Sequence, residues 1–425
     1  MSIARRPALG QNYAFVVVGV IFVSLLVGAG LRGAPSVLML PLEQSLGWSR
    51  QWTSLAAATG ILLYGLVGPF AAALMQSFGI KRTLLCALAL MALSTGASVF
   101  MTEPWQYVLT WGLLSGLGSG SVALVLGATI VNRWFAKNRG LMMGILTASA
   151  ATGALVFLPG LAAISTSAGW QPAVLTVAAA AALLIPLVWW LLPERPEDLG
   201  LIAYGAAGPA PANPPVNRNP FTAAFGGLAR ASQHRDFWFL AGGFFICGFT
   251  TNGLVGTHLI SFCGDYGIPA VAAAGLLATM GIFDLIGTTL SGWLTDRFDP
   301  RKLLFIYYGV RGLSLIYLPF SDFSFYSLSI FAVFYGLDWI ATVPPTVRLA
   351  NDAFGERDAT VAFGWIAASH SLGAASAAFL AGYIRADTGS YFDAFIFAGF
   401  TAIGAAFLSL MVRGRGALPR PAVAT

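Results

Sequence analysis

Six ionisable side chains lie inside long apolar runs of this chain, where charged or titratable groups are unexpected: Arg32, His258, Asp284, Arg311, Asp338 and His370. A charged side chain at the centre of a bilayer costs about 2.5–3.5 kcal/mol on the mildest scales. Each such group must therefore be compensated by a partner or used for function. Carboxylates and imidazoles can carry protons, and a guanidinium can bind a carboxylate through two parallel hydrogen bonds.

The two carboxylates and Arg311 form the first predicted constellation. Arg311 is the only cation that we expect in mid-membrane near Asp284 and Asp338 in sequence order, so we expect it to pair with one of them. The other carboxylate is then left to accept a proton. A purely structural ion pair is the alternative. Pro344 and Pro345 predict a break in the helix just beyond Asp338, with freed backbone carbonyls.

The second constellation consists of predicted substrate contacts. Arg32 offers a permanently charged fork to a carboxylate, and glycines at 28, 30 and 33 leave room around it. An arginine that extends to the outer headgroups is the alternative. Tyr64 is a further predicted substrate contact.

Two histidines and an asparagine complete the predicted substrate contacts. His370 can donate to an anion and titrate near neutral pH. A neutral histidine hydrogen-bonded between helices is the alternative reading. His258, with Asn252 on the same apolar run, is also a candidate, unless it merely lies near the outer interface.

Composition identifies the elements that must position these groups. Of 425 residues, 57% are hydrophobic and only 9% are charged, against about 25% charged in soluble domains. Apolar runs of about 20 residues recur along the chain, as expected for membrane-spanning helices and too long for barrel strands. The first run is too long for a signal peptide, so we interpret it as a retained span. The three cysteines show neither a disulfide framework nor metal-ligand spacing.

The fold class predicted is an all-α membrane protein with twelve transmembrane helices in two pseudo-symmetric six-helix bundles. The predicted spans are 12–39, 52–76, 83–101, 105–131, 140–164, 171–192, 237–262, 269–293, 303–320, 325–347, 359–383 and 390–412. Most Lys and Arg fall in alternate loops, which places both termini in the cytoplasm. The net charge of +6 therefore encodes topology and requires no nucleic acid or other acidic partner.

An internal repeat supports two halves. "GILTASAATGA" from Gly144 matches "GWIAASHSLGA" from Gly364, an offset of 220 residues, and His370 then replaces Ala150. "ALMQSFGIKR" and "WLTDRFDPRK" match at the same offset. Chance similarity between alanine-rich helices is the alternative for the first pair. We predict bundles over 1–193 and 237–425, a cytoplasmic linker over 194–236, and a transport site between the halves.

The loop "GWLTDRFDPRK" closely resembles the signature loop of the major facilitator superfamily. The resemblance implies that Gly292, Asp296, Arg297 and Arg301 form a conformational gating loop: Gly292 permits close helix packing, and Asp296 caps or pairs with a neighbouring helix end. The corresponding loop of the first half has Gln76 at the acidic position.

Four phrases are similar to the monocarboxylate-transporter and oxalate:formate-antiporter branch: "LPLEQSLGWSR", "NRWFAKNRGLMMGI", "RPEDLGL" and "AGYIRADTGSYFDAF". This branch implies movement of small organic anions, often with a proton. It also implies an aspartate like Asp284 followed one turn later by an arginine, where this chain has Thr288. A lysine of the branch lies about one turn from the position of Arg32.

We therefore expect an inner-membrane secondary carrier for a small organic acid, with proton symport, no cofactor, no metal and a monomeric state. A drug or metabolite efflux antiporter is the alternative, although its glycine-proline motif is reduced here to Pro159-Gly160. An intramembrane enzyme is disfavoured, because "YGLD" lacks the second glycine of the protease motif GxGD. A membrane sensor without transport activity is the last alternative, and no soluble signalling segment supports it.

Overall fold

The computed structural model describes residues 10–122, 124–206 and 220–413. These residues are helical almost throughout and contain no strand beyond one isolated bridge between Phe135 and Tyr204. The predicted all-α membrane class is confirmed. Residues 207–219 of the predicted linker 194–236 lie outside the described residues.

The chain divides into two compact units, Met1–Phe221 with Leu259–Ala278, and Thr222–His258 with Thr279–Thr425. The helices are, in chain order, α1 Tyr13–Leu46, α2 Arg50–Phe78, α3 Ile80–Ala97, α4 Pro104–Tyr107, α5 Ser115–Ser121, α6 Leu124–Trp134, α7 Arg139–Ala168, α8 Trp170–Leu191, α9 Pro220–Ala231, α10 Arg235–Gly248, α11 Gly256–Asp265, α12 Ala270–Thr295, α13 Pro300–Tyr317, α14 Phe325–Asp338, α15 Val343–Thr388 and α16 Phe392–Leu410. Two π-helical segments, Val108–Leu114 and Phe249–Val255, continue α4 into α5 and α10 into α11.

Nine helical stretches within the described residues are long and apolar enough to cross a bilayer. The three remaining predicted spans, 52–76, 140–164 and 359–383, lie on α2, α7 and α15. Every predicted span therefore lies mainly in helix among the described residues, and the span 325–347 is interrupted by a turn at 339–342.

One predicted boundary is wrong, because the polar segment between the tenth and eleventh predicted spans is helical. It belongs to α15, which runs without interruption from Val343 to Thr388. The segment "LANDAFGERDAT" contains no proline and several good helix formers. The polar residues of this segment suggested a loop between two spans, but polar residues do not end a helix, and no proline interrupts it here.

Glycines set the distances between helices of the first unit. A Cβ added at Gly30 of α1 would overlap the ring of Phe157 on α7, and one at Gly153 would lie 2.6 Å from the Leu26 carbonyl oxygen. Gly112, Gly116 and Gly120 repeat every fourth residue and face α2 in the same way, with the Cα of Gly60 3.0 Å from a Cβ at Gly116. The spacing of small residues thus permits close helix packing.

Close approach of helices at glycines also positions the ionisable residues of the second unit. A Cβ added at Gly287 of α12 would overlap the Leu337 carbonyl oxygen of α14, and one at Gly336 would lie 2.8 Å from the Met280 carbonyl oxygen. These contacts fix α12 against α14 beside Asp284 and Asp338. A Cβ at Gly248 would likewise overlap the His370 carbonyl oxygen, so α10 approaches α15 closely.

The predicted break beyond Asp338 is confirmed. Helix α14 ends at Asp338, residues 339–342 form a turn, and α15 begins at Val343 with the two prolines in its first turn. Proline lacks the N–H that a continuous helix would need here, and it is well tolerated at a helix start.

We expect Gly287→Ala to lower the free energy of unfolding by about 1–3 kcal/mol, because the methyl group has no room beside the Leu337 carbonyl. The matched control on the same helix is Gly292→Ala. Apart from its own helix, no atom of the described residues lies within 4 Å of a Cβ at Gly292, so the close packing expected at that residue is absent there. Melting temperatures in detergent should fall by several degrees for Gly287→Ala only. Equal melting temperatures for the two variants would refute the packing argument.

Candidate functional site

Arg311 and Asp338 form a buried ion pair in the second unit. The Arg311 Nε donates to Asp338 Oδ2 at 2.6 Å. Arg311 is 0% exposed and Asp338 is 4% exposed. Of the two candidate carboxylates, Arg311 therefore pairs with Asp338.

The remaining N–H groups of Arg311 are also engaged. Its Nη2 donates to the carbonyl oxygens of Asp338 at 2.6 Å and Trp339 at 3.2 Å. Its Nη1 donates to Cys247 Sγ at 3.0 Å and, more weakly, to Thr250 Oγ1 at 3.5 Å. Carbonyls freed by the helix break are thus acceptors for the arginine. Asp338 Oδ1 is buried and has no hydrogen-bond partner among the described residues.

Asp284 is the second buried carboxylate, and its hydrogen bonds come from neutral donors. Its Oδ1 accepts from the Thr288 hydroxyl at 2.9 Å and from the backbone N–H of Ile340 at 2.9 Å. Thr288, which replaces the arginine of the resembling branch, therefore supplies a hydrogen bond in place of a charge. Asp284 forms no ion pair within the part of the chain that the structure describes.

In the first unit, Arg32 stacks on Tyr64. The guanidinium carbon lies 4.3 Å from the centre of the Tyr64 ring, a cation–π geometry that joins α1 to α2. Arg32 is half-buried. The structure shows no acidic partner and no hydrogen bond for its guanidinium among the described residues.

The other predicted substrate contacts differ in accessibility. Asn252 is exposed on the π-helical segment Phe249–Val255, and such segments are frequent at functional sites. His370 is half-buried beside the Phe244 ring, with 5.3 Å between ring centres, and interacts with Cys247.

His258 is fully buried, and both of its ring nitrogens are engaged. Nδ1 lies 2.9 Å from the Tyr391 hydroxyl and Nε2 lies 2.7 Å from the Ala378 carbonyl oxygen. A carbonyl only accepts, so Nε2 carries a proton and donates it to the Ala378 carbonyl oxygen. This arrangement favours a packing role, and substrate binding by His258 stays a prediction.

The signature loop uses a different aspartate from the one expected. Asp296 is exposed and forms no hydrogen bond or ion pair among the described residues. Asp299 instead caps α13: its Oδ1 accepts from the backbone N–H of Arg301 at 3.0 Å, and its Oδ2 pairs with the Arg301 side chain at 2.7 Å. Arg301 holds the pKa of Asp299 below its usual range. Arg297 stacks on Trp293 at 4.0 Å. The sequence signal for this cap is Asp299 followed by Pro300, because aspartate is favoured at the N-cap and proline at the first helical position.

In the first unit, Glu194 caps the start of α3, where Gly79 stands at the position that corresponds to Asp299. Its Oε1 accepts from the backbone N–H of Ile80 at 2.7 Å and from Arg133 Nη1 at 2.8 Å, and its Oε2 accepts from the N–H of Lys81 at 3.0 Å. Burial alone would raise the pKa of Glu194, but these donors together hold it below its ordinary value. Sequence reasoning missed this residue because it follows α8, far along the chain from the start of α3.

Metal-ligating side chains do not converge in the described ranges. There, no group of three or more His, Cys, Asp or Glu residues has the proximity to hold a metal ion. The predictions of no metal and no cofactor stay predictions.

We expect the Arg311–Asp338 pair to behave as a unit in thermal unfolding. Asp338→Asn and Arg311→Gln should each cost about 3–5 kcal/mol, because each leaves one buried charge without its partner. The double variant should regain much of that loss. Lys302→Gln, at an exposed position of the same helix α13, is the control and should melt like the wild type. Additive losses in the double variant would contradict the pairing.

Glu194 predicts a pH dependence of stability. Its folded pKa lies below the ordinary value of 4.5, so its hydrogen bonds stabilise the fold fully above about pH 4.5 and are lost as the pH falls through the folded pKa. Glu194→Gln should cost about 1 kcal/mol at neutral pH, as for a partly exposed helix cap. It should also flatten the fall in melting temperature below pH 4.5. Glu197→Gln, exposed on the same loop, is the control, and an identical acid profile for both variants would rule the role out.

Comparisons with known proteins agree with this architecture. The family model described as Major Facilitator Superfamily matches residues 20–345 and, in a second match, 265–424. A solved bacterial homologue of the human lysosomal transporter Spinster, in an inward-facing and unoccupied conformation, superposes with a TM-score of 0.71. That alignment covers 96% of each chain at 15% sequence identity, so it establishes the fold alone.

Curated relatives point in the same direction. The chain is 27% identical to monocarboxylate transporter 13 of Rattus norvegicus, over 81% of this chain and 76% of the relative. It is 26% identical to the uncharacterised MFS-type transporter YcxA of Bacillus subtilis, over 76% of each chain. The prediction that the protein is not an enzyme is confirmed. The chain belongs to the major facilitator superfamily: it is a multi-pass membrane transporter related to the monocarboxylate transporters.

Proposed function

We propose that this transporter is a secondary active carrier of a small organic anion, with a proton moving in the same direction. It acts by alternating access as a monomer in the cell inner membrane, with both termini in the cytoplasm. The observation that carries the proposal is Arg32, a half-buried guanidinium in a membrane span with no acidic partner among the described residues.

An unpaired cation in an apolar span attracts an anionic ligand. Leaving its charge uncompensated is costly, and a substrate carboxylate relieves that cost while it is bound. The planar fork of arginine matches a carboxylate with two parallel hydrogen bonds. Tyr64 holds the guanidinium by its ring face and leaves the N–H groups free to donate. The relationship to a protein named monocarboxylate transporter supports the carboxylate class.

Asp284 is the group that we assign to proton coupling. The buried cluster holds two carboxylates and one guanidinium, and Arg311 is committed to Asp338. One proton on Asp284 would make the cluster neutral, which favours its burial in the membrane. Asp284 is 7% exposed, so the proton can be shielded from water during transport.

His370 and Asn252 are proposed as further substrate contacts. Both lie in the second unit, and neither has its polar groups fully engaged in the way that those of His258 are. An imidazole and an amide can donate to the remaining oxygens of an organic acid. Gly292, Asp296, Arg297 and Arg301 remain the proposed gating loop.

The substrate class is tested by uptake into proteoliposomes. We expect labelled monocarboxylates to accumulate when the outside is made acidic, and sugars and cationic drugs to be excluded. Accumulation of only sugars or cations would overturn the anion assignment.

Arg32 variants test the binding role within the same assay. Arg32→Ala should lower kcat/KM for the transported acid about tenfold or more, because a hydrogen-bonded charge is lost. Arg32→Lys should recover part of it, since the charge remains and the fork is lost. Tyr64→Phe keeps the ring under the guanidinium and tests whether the hydroxyl contacts the substrate, whereas Tyr64→Ala should raise KM. Unchanged uptake by Arg32→Ala at normal expression would exclude Arg32 from binding.

A further inference from the structure

The turn at residues 339–342 is held by side chains from two neighbouring helices. The Ile340 N–H donates to Asp284 Oδ1 at 2.9 Å, and the Ala341 carbonyl oxygen accepts from the Ser291 hydroxyl at 2.5 Å. Asp284 and Ser291 both belong to α12. From α13, Arg311 holds the carbonyls of Asp338 and Trp339. A break in a membrane helix leaves polar backbone groups without helical partners, and these side chains replace them.

The turn itself satisfies few of its backbone groups. The N–H of Trp339 donates to Gly336 and that of Val343 to Ile340, at 3.1 and 2.9 Å. The two anchors from α12 therefore act on the middle of the turn, at Ile340 and Ala341.

The three anchoring side chains respond differently to protons. The Ser291 hydroxyl does not titrate in the physiological range, and Arg311 stays charged. Of the three, only Asp284 can change its charge. An ionised carboxylate accepts hydrogen bonds about twice as strong as those that a neutral carboxyl accepts. The hold on the Ile340 N–H therefore depends on whether Asp284 carries a proton.

Several charged or titratable groups surround Asp284 and could influence that response. Those that face it are Arg311 from α13, Asp338 from α14 and Cys247 from α10. Tyr307 and Tyr308 of α13 and Tyr335 of α14 lie around the Arg311–Asp338 pair. His370 of α15 reaches the cluster through Cys247. Of these groups, only Asp284 bonds a backbone N–H of the turn.

Helix packing determines which side of the turn can move. Gly287 leaves no space between α12 and the Leu337 carbonyl of α14, so α14 stays fixed against α12. Release of the Ile340 N–H then frees the start of α15, whose two prolines prevent it from joining α14 as one straight helix.

We infer that residues 339–342 form a proton-dependent hinge: ionised Asp284 anchors the Ile340 N–H, and protonated Asp284 releases it. Ser291 and Arg311 are positioning residues that keep the turn formed in both states. This inference rests on the proposed proton coupling at Asp284 and adds the element that the proton moves.

Trp339 provides a reporter inside the hinge. Its ring lies 5.7 Å from the Tyr335 ring at an interplanar angle of 83°. The purified full chain is labelled with 5-fluorotryptophan, and the Trp339 resonance is assigned by its loss in Trp339→Phe. We expect this fluorine resonance to shift or split as the pH falls. In Asp284→Asn it should stay near its acid position at every pH.

Two control variants separate the anchor from its surroundings. Ser291→Ala removes the non-titrating anchor, so the resonance should move at all pH values while its pH response is retained. His370→Gln removes the half-buried imidazole and should leave the response in place. Persistence of the response in Asp284→Asn would overturn the assignment, and its loss in His370→Gln would then point to the imidazole instead.

A second measurement needs no variant at the site. Hydrogen exchange of the peptide that covers residues 339–342, corrected for the intrinsic pH dependence of exchange, should be about fivefold faster when Asp284 is protonated, as expected for loss of one hydrogen bond. Peptides of α16 should show no such change. Equal corrected rates at acid and neutral pH would overturn the hinge even if Asp284→Asn does not fold.

Uptake distinguishes failure of the hinge from failure of the proposed transport. If a proton gradient drives uptake in the wild type and the Trp339 resonance does not titrate through Asp284, the hinge is wrong and the proton coupling stands. If the resonance titrates through Asp284 while uptake ignores the gradient, the proposed coupling is wrong and the hinge stands.

Discussion

Arg311 has five N–H donors and lies where no water reaches it, so all five must find acceptors within the protein. The structure provides five: a carboxylate oxygen of Asp338, two main-chain carbonyls, a thiol sulfur and a threonine hydroxyl. The two carbonyls are available only because α14 ends at Asp338. The helix break is therefore as necessary to the buried arginine as its carboxylate partner is. This requirement ties α10, α13 and the end of α14 to one point.

Close helix contact is the second condition for this arrangement. Side chains of α12 reach the turn after α14 only because Gly287 and Gly336 let the two backbones touch. A larger residue at either position would push α12 away from α14 and lengthen the hydrogen bond between Asp284 and the Ile340 N–H. The glycines therefore act on the ionisable cluster indirectly, through the distance between the helices that carry it.

The sequence predicted the spans, the break and the ionisable residues, because hydropathy and proline are local signals. Pairing was beyond it, since Arg311 is separated by 27 residues from both Asp284 and Asp338, and only the packing of α13 against α14 selects between them. The cap of α3 came from Glu194, more than a hundred residues away. The signature loop shows a different limit. Asp296 has the position expected from the resemblance, but Asp299 stands directly before α13, and cap geometry favours the residue at the helix start.

The two membrane arginines make the strongest contrast in the molecule. Arg311 is fully buried and its charge and donors are all matched, so nothing remains with which it could bind a substrate. Arg32 is half-buried, has a ring beneath it, and has its donors free among the described residues. A residue whose interactions are complete stabilises a fold, whereas a cation left without an acidic partner in a membrane span requires another explanation. We propose that a transported anion supplies the missing partner transiently, and this is the physical reason for assigning substrate recognition to Arg32 and structural organisation to Arg311.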